Sequence, residues 1–181
     1  MVEDFISGIN NRSAKAWESL YHHYYAALCS YVDHMIKDSH ATEDLVQDVF
    51  IAIWRSERMF VSMKELTNYL YRACYNNSLV YIRNNKIHNT ILDRIGENAE
   101  FTEDDAYSLM VVEEVVRQLY HLIDSLPQEQ KNVILLSLKE YSIKEIAEKL
   151  SISVNTVKTH KSRAMRFLRS KFQDSIYFFL L

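Results

Sequence analysis

The chain has 181 residues, of which 48% are apolar and 25% charged, and its formal net charge is -3. That is enough for one large or two small domains with a real core, and it excludes a globally basic coat for nucleic acid, so any DNA contact must come from local patches. Two glycines and one proline are too few turn formers for an all-β or α/β chain, so an all-α fold is expected.

The N-terminus reads MVEDFISGINNRS. It carries acids and no long apolar stretch, so no signal peptide is expected, and no run approaches the length of a membrane span. Cys29 and Cys74 have no partner spacing and fall in helical patterns. They read as buried free thiols of a reducing, cytoplasmic compartment.

The first clear helical block runs from about Ser13 to Lys37. Trp17, Leu20, Tyr21, Tyr24, Leu28, Tyr31, Val32 and Met35 recur at three- and four-residue spacing. His22 and His23 are adjacent, so they point to different faces, and no ligand partner stands at a metal spacing. They read as surface histidines, with no metal site. After the polar break Lys37–His40, with Asp38 or Ser39 as cap, Leu45, Val46, Val49, Phe50, Ile53 and Trp54 form a broad stripe. Opposite lie Asp44, Gln47, Asp48 and Arg55, either a solvated face or a docking surface.

The loop Ser56–Lys64, SERMFVSMK, is unusually apolar. Met59, Phe60 and Met63 either anchor it to the core or line a small pocket. A third block spans about Glu65 to Lys86, with Leu66, Tyr69, Leu70, Ala73, Tyr75, Leu79 and Ile82 as apolar contacts. Between them stand Arg72, Asn76, Asn77, Arg83, Asn84, Asn85 and Lys86, with no acid after Glu65. Aromatics interleaved with Arg and Asn suit single-stranded nucleic acid; aromatics at helical spacing also suit a core. From His88 to Asp105 the chain turns acidic: Asp93, Glu97, Glu100, Glu103, Asp104 and Asp105 face one Arg94. This reads as a linker.

A helix from about Ala106 to Ser125 follows, with Val111, Val112, Val115, Val116, Leu119, Leu122 and Ile123 on its apolar side. Pro127 marks the start of another, buried through Val133, Ile134, Leu136 and Leu138. Ser142 and Glu145 then form an S-x-x-E capping box. Ile143, Ile146, Ala147 and Leu150 share a face, Ser151-Ile152-Ser153 breaks the run, and Ser153 caps a second helix whose stripe is Val154, Val157, Ala164 and Leu168. That is the helix-turn-helix layout. From Val154 to Phe172 every charged residue is cationic: Lys158, Lys161, Arg163, Arg166, Arg169 and Lys171. A recognition helix needs polar groups at its first turn for bases and cations along it for phosphates. The tail SIYFFLL is strongly apolar.

In this order the blocks resemble the small extracytoplasmic-function sigma factors of bacterial RNA polymerase. The resemblance rests on EDLVQDVFIAIW (Glu43–Trp54), NYLYRACYNNSLVYIR (Asn68–Arg83), LPQEQKNVILL (Leu126–Leu136) and SIKEIAEKLSISVNTVKTHKSRAMRFLR (Ser142–Arg169). It implies two small helical domains joined by an acidic linker: a region 2-like domain at 1–90, the linker at 91–107 and a region 4-like helix-turn-helix domain at 108–181. It also implies a factor that directs RNA polymerase to promoters and assists their opening, with no catalytic residue, cofactor or small-molecule substrate. Asp44, Gln47, Asp48 and Ile51 would grip the clamp helices of the polymerase's largest subunit. Arg58, Phe60, Met63, Arg72, Asn76, Asn77 and Arg83 would meet the minus-ten element, with the Ser56–Lys64 loop capturing a flipped base. Ser153, Asn155, Thr156, Lys158, Thr159, Ser162, Arg163 and Arg166 would read the minus-thirty-five element. An anti-sigma factor is the expected regulatory partner. Tyr141 and Ser151 stand where the family often has glycine. Apart from the resemblance, two readings stay open: a stand-alone helix-turn-helix regulator with an N-terminal sensing or dimerisation domain, and a helical adaptor with no DNA role.

Overall fold

In the computed structural model the backbone is described for residues 2–89 and 102–180, and side chains for 5–85 and 102–172. Among these residues there are eight helices and no strand: α1 Val2–Asn10, α2 Ala14–Ile36, α3 Ser39–Arg55, α4 Met63–Asn89, α5 Glu103–Asp124, α6 Gln128–Leu138, α7 Ile143–Leu150 and α8 Val154–Leu180. Most of the acidic linker and the side chains of the apolar tail lie outside the described residues. The chain divides into two compact units, Met1–Glu114 and Val115–Leu181, and the division falls within α5.

The first unit is built on one core. Its α2 stripe, Leu20, Tyr24, Leu28, Tyr31 and Val32, is buried against Val46, Val49, Phe50 and Ile53 of α3 and Leu66, Leu70, Tyr71 and Cys74 of α4. Each fully buried leucine of this set contributes roughly 1.5–3 kcal/mol of transfer free energy. Two contacts lock its register: the Tyr24 hydroxyl shares a 2.6 Å hydrogen bond with Thr67 Oγ1, and the Tyr31 and Tyr71 rings meet edge-on at 5.1 Å. The α2–α3 corner turns on Lys37, which takes a left-handed conformation at φ 53°. Asp38 then accepts a hydrogen bond from the Ala41 N–H and a second, from the Tyr81 hydroxyl at 2.8 Å, which ties α4 to the start of α3. Leu109 and Met110 of α5 pack on the same core, and buried Glu113 accepts a hydrogen bond from the Ser30 hydroxyl at 2.8 Å.

The second unit has two small clusters instead. One gathers Ile123, Leu126, Ile134, Ala164 and Leu168; the other gathers Val133, Ile146, Ala147 and Val157, with Tyr141, Leu150 and Ile152 packed on it. The capping box forms as the spacing predicts, with Ser142 N–H donating to Glu145 Oε2 at 2.8 Å and Glu145 N–H to Ser142 Oγ at 3.3 Å.

Several expectations are revised. Helix α5 starts at Glu103 rather than Ala106, because Thr102 and Asp105 cap it reciprocally and acids in a first turn favour the helix dipole. Tyr21, Trp54, Leu79, Val112, Val116, Leu138 and Val154, assigned to apolar stripes, are all exposed, whereas Ser78 and Gln118 are buried. Cys74 is buried, whereas Cys29 is half-buried, and both are free thiols. Helix α1 has no counterpart among the sequence expectations.

Candidate nucleic-acid interface

Helix α8 supplies one candidate face. Ser153 caps it: its Oγ accepts the Thr156 N–H at 3.0 Å and lies 2.8 Å from Thr156 Oγ1. Those two hydroxyls therefore hold the helix start. The Thr159 hydroxyl donates to the Asn155 carbonyl at 2.9 Å, which leaves its lone pairs open. Asn155, Lys158, Thr159, Ser162, Arg163 and Arg166 are exposed, while Val157, Ala164 and Leu168 are buried on the inner side. Asn155, Lys158, Ser162, Arg166 and Arg169 recur at three- and four-residue steps, so they line one stripe. A shallow groove on this stripe is lined by Ser162, Met165, Arg166 and Arg169.

A second face lies on α4 and the loop before it. Arg58, Glu65, Asn68, Tyr69, Arg72 and Asn76 line an open groove of about 470 Å³. The Arg58 guanidinium sits 4.5 Å from the centre of the Tyr69 ring and pairs with Glu65 at 3.1 Å, so the cation is oriented before any ligand arrives. Glu65 is held below the usual carboxylate range by the Val61 N–H and then by Arg58. Arg72, Asn76 and Arg83 are exposed and share one side of α4, since 11 residues return a helix to within about 20°. Asn77 is half-buried and lies roughly 140° around the helix from Arg72, so it does not join them.

The loop settles its own ambiguity for one residue. Phe60 is only 2% exposed; its ring packs edge-on to Tyr69 at 5.5 Å. It anchors the loop, since a ring of that size gains from burial, and it also lines a cavity beside the loop. Met63 is half-buried against the same core. Met59, 60% exposed, lies with Arg58 on a separate cavity of about 210 Å³. Sequence reasoning missed Asn68 and Tyr69 as groove residues; the signal was there, since Tyr69, Arg72 and Asn76 stand at i, i+3 and i+7. It also missed Asn10 and Arg12, which line that cavity and carried no local pattern.

On α3, Asp44, Gln47, Asp48 and Ile51 are all exposed, at i, i+3, i+4 and i+7. Ile51 is 45% exposed and Trp54 41%. Beside them the Trp17 and Trp54 rings meet at 5.0 Å, and Tyr21 stacks on Tyr25 at 4.6 Å. Burial pushes the Tyr25 phenol up to about 12, against a hydrogen bond with Gln47. This is an acidic, amide-bearing strip with an aromatic edge, unlike either cationic face. Among the described residues no group of His, Cys, Asp and Glu is arranged to hold a metal, and no helix is long and apolar enough to cross a membrane.

The comparisons agree with this geometry. The family model for sigma-70 region 2 matches residues 20–87, and that for sigma-70 region 4 matches residues 116–168. The chain is similar to the ECF RNA polymerase sigma factor SigX of Bacillus subtilis (strain 168), 29% identical over 163 residues, 86% of this chain and 82% of that one. It is 29% identical over 153 residues to SigW of the same organism, covering 77% and 80% of the two chains. A solved chain, "Structure of CnrH in complex with the cytosolic domain of CnrY", aligns over 95% of this chain and 97% of its own with 19% identity and a TM-score of 0.41, too distant a likeness to bear on function. The chain belongs to the sigma-70 family, as one of its extracytoplasmic-function members. It is a DNA-binding transcription initiation factor that directs RNA polymerase to promoters. Sigma factors as a class are not enzymes. The region 2 match stands where a sensing or dimerisation domain was the alternative.

Proposed function

We propose that the two cationic faces divide the promoter between them. The first unit takes the opened non-template strand of the minus-ten element along Arg58, Tyr69, Arg72, Asn76 and Arg83, with the Ser56–Lys64 loop capturing a flipped base. Extruding a base costs a few kcal/mol, least at an easily melted step, so the loop selects sites that open cheaply. The second unit sets α8 in the major groove of the minus-thirty-five element, Asn155, Lys158 and Thr159 near base edges and Ser162, Arg163 and Arg166 near phosphates. The α3 strip of Asp44, Gln47, Asp48 and Ile51 grips the clamp helices of the largest polymerase subunit. The chain acts by binding alone, in the cytoplasm, and an anti-sigma partner restrains it; for that partner and that location the support is the family assignment.

The observation that carries the reading is the separation of charge. Arginines, asparagines and a tyrosine share a groove on α4 whose one acid, Glu65, is paired to Arg58; α8 carries no acid from Val154 to Phe172; and the exposed strip of α3 presents Asp44 and Asp48. Reconstitution with core polymerase on a promoter library tests it. Lys158→Ala with Arg163→Ala should weaken duplex binding, reduce base discrimination through Lys158 and lower the salt slope by about one phosphate contact through Arg163, polymerase binding being kept. Asp48→Arg should release polymerase. Equal loss of both functions in every variant contradicts the division.

A further inference from the structure

Helix α1 ends against the loop assigned above to base capture. The Asn10 carboxamide makes two hydrogen bonds to the backbone of Phe60: Nδ2 donates to its carbonyl at 2.8 Å, and Oδ1 accepts its N–H at 2.9 Å. Two residues on, Arg12 Nη2 donates to the Ser56 carbonyl at 3.1 Å. The α1–α2 turn therefore holds the loop at two points. The turn is itself braced, since Trp17 Nε1 donates to the Ile9 carbonyl at 3.1 Å and α1 crosses α2 so closely that a Cβ on Gly8 would lie 2.8 Å from that of Ala16. Between turn and loop lies the cavity of about 210 Å³, walled by Asn10, Arg12, Trp17, Arg58, Met59 and Phe60. That is several times the roughly 30 Å³ share of one water, with apolar walls, an amide, two cations and one carboxylate, that of Glu57. All of this lies N-terminal to the residues matched by the region 2 model, 20–87, or in their contact with it.

We propose that the α1–α2 turn is a working part of strand capture: Asn10 positions the loop, and Arg12 supplies a cation at the cavity for the phosphate beside the captured base. The inference rests on the reading of the loop given above. Asparagine fits because one carboxamide offers a donor and an acceptor together. Without it the Phe60 N–H and carbonyl both lose their partner, and the loop segment with Arg58 and Met59 loses its fixed register. Arg12 spends one of its guanidinium N–H groups on Ser56 and keeps others for an anion.

The test uses the full chain bound to core polymerase and fluorescent single-stranded oligonucleotides, one carrying the selected minus-ten sequence and one scrambled. Asn10→Ala should cut the preference between them by about tenfold, with polymerase affinity unchanged. Asn10→Asp, which keeps only the acceptor, should fall between Asn10→Ala and the parent. Arg12→Ala should weaken both oligonucleotides alike and reduce the salt slope by about one contact. Met59→Ala, within the loop, serves as reference. If it lowers the preference while Asn10→Ala does not, and Arg12→Ala leaves the affinity for both oligonucleotides and the salt slope unchanged, the turn is scaffold and the inference is wrong. Loss of polymerase binding together with preference in Asn10→Ala also overturns it. If Met59→Ala leaves preference intact as well, the reading of the loop itself is at fault.

Discussion

The two units are stabilised in different ways. The first seals large side chains into one continuous core, with Tyr24, Tyr31 and Tyr71 each at 2% exposure or less. The second divides a few aliphatic residues between two clusters and depends on how its helices begin and end: a capping box at Ser142, a left-handed residue at Ser151 and a hydroxyl cap at Ser153. Stability in the first unit is a matter of volume, and in the second a matter of termini. Their candidate surfaces follow suit. The groove on α4 rides on a rigid, buried helix, whereas α8 presents its stripe only as long as the preceding turn keeps its shape.

The largest effect should come from opening the first core. Leu28 is fully buried, and Leu28→Ala should cost about 2–5 kcal/mol. Hydrogen exchange should show α2, α3 and α4 losing protection together, with α7 and the first turns of α8 unaffected. If α7 loses protection to the same degree, the two units are not energetically separate and the comparison fails.

The second unit should instead be sensitive at its caps. Ser153→Ala removes the acceptor for the Thr156 N–H and should cost about 1 kcal/mol. Because Asn155, Lys158 and Thr159 lie in the first turns of the same helix, duplex affinity should fall with stability, and the minus-thirty-five footprint should weaken first at its base contacts. The matching cap deletion in the first unit, Asp38→Ala, is made in a Tyr81→Phe background so that only the Ala41 cap is compared. It should be absorbed more easily by the core beside it. Comparable losses at both caps would erase the distinction between volume and termini.

The same contrast explains what could be read from the sequence. Helix-turn-helix, capping box and cationic stripe were legible because they are local: spacing of three and four, and side chains that bond within one turn. The α2, α3 and α4 stripes were legible for the same reason, as was the polar face Asp44–Asp48. Contacts between distant segments were not. Nothing in VEDFISGIN announces that Asn10 will bind the backbone of Phe60, fifty residues away. Phe60 looked equally fit for a pocket or a core; the ring of Tyr69 and the clamp from α1 bury it, and it still walls the cavity beside that clamp. The apolar side of α5 was misread at Val112 and Val116, both exposed, because buried Glu113 and Gln118 find polar surroundings that no periodicity reveals.

A smaller effect, of opposite sign, is expected at the turn. Ser151 takes φ 54° and ψ 41°, a conformation that costs a residue with a Cβ and that glycine adopts freely. The expected glycine is absent, yet the turn keeps the left-handed form. At Tyr141 the strain has moved one residue, to Glu140 with φ 63°. Ser151→Gly should stabilise the second unit by up to about 1 kcal/mol, the roughly 1–2 kcal/mol left-handed penalty of a residue with a Cβ less glycine's entropic cost of roughly 0.5–1 kcal/mol, read as a raised melting temperature of α7 with duplex affinity kept. No gain would mean that Ser151 is compensated by contacts that glycine lacks.

Acid offers the finest test, because both units carry a carboxylate at a helix start. Asp38 is held below its ordinary 3.8 by the Tyr81 hydroxyl first and the Ala41 N–H next. Glu145 is held below 4.5 by hydrogen bonds from Ser142, side chain first and backbone after. A carboxylate whose folded pKa is depressed contributes stability above its unfolded pKa and loses it as pH falls through the folded value. Both contributions should therefore be present near neutrality and disappear in acid, below 3.8 for Asp38 and below 4.5 for Glu145. Glu145 is exposed and Asp38 only half-buried, so screening keeps the effects small. In a titration from roughly pH 6 to pH 3, followed by amide exchange, α7 should lose protection before α3, since less core stands behind it. Tyr81→Phe removes the leading cause at Asp38 and should flatten the response of α3 while leaving that of α7 untouched. If α3 still responds as in the parent, the Tyr81 hydrogen bond does not tie α4 to the α2–α3 corner in solution, and that corner depends on Ala41 and the core alone.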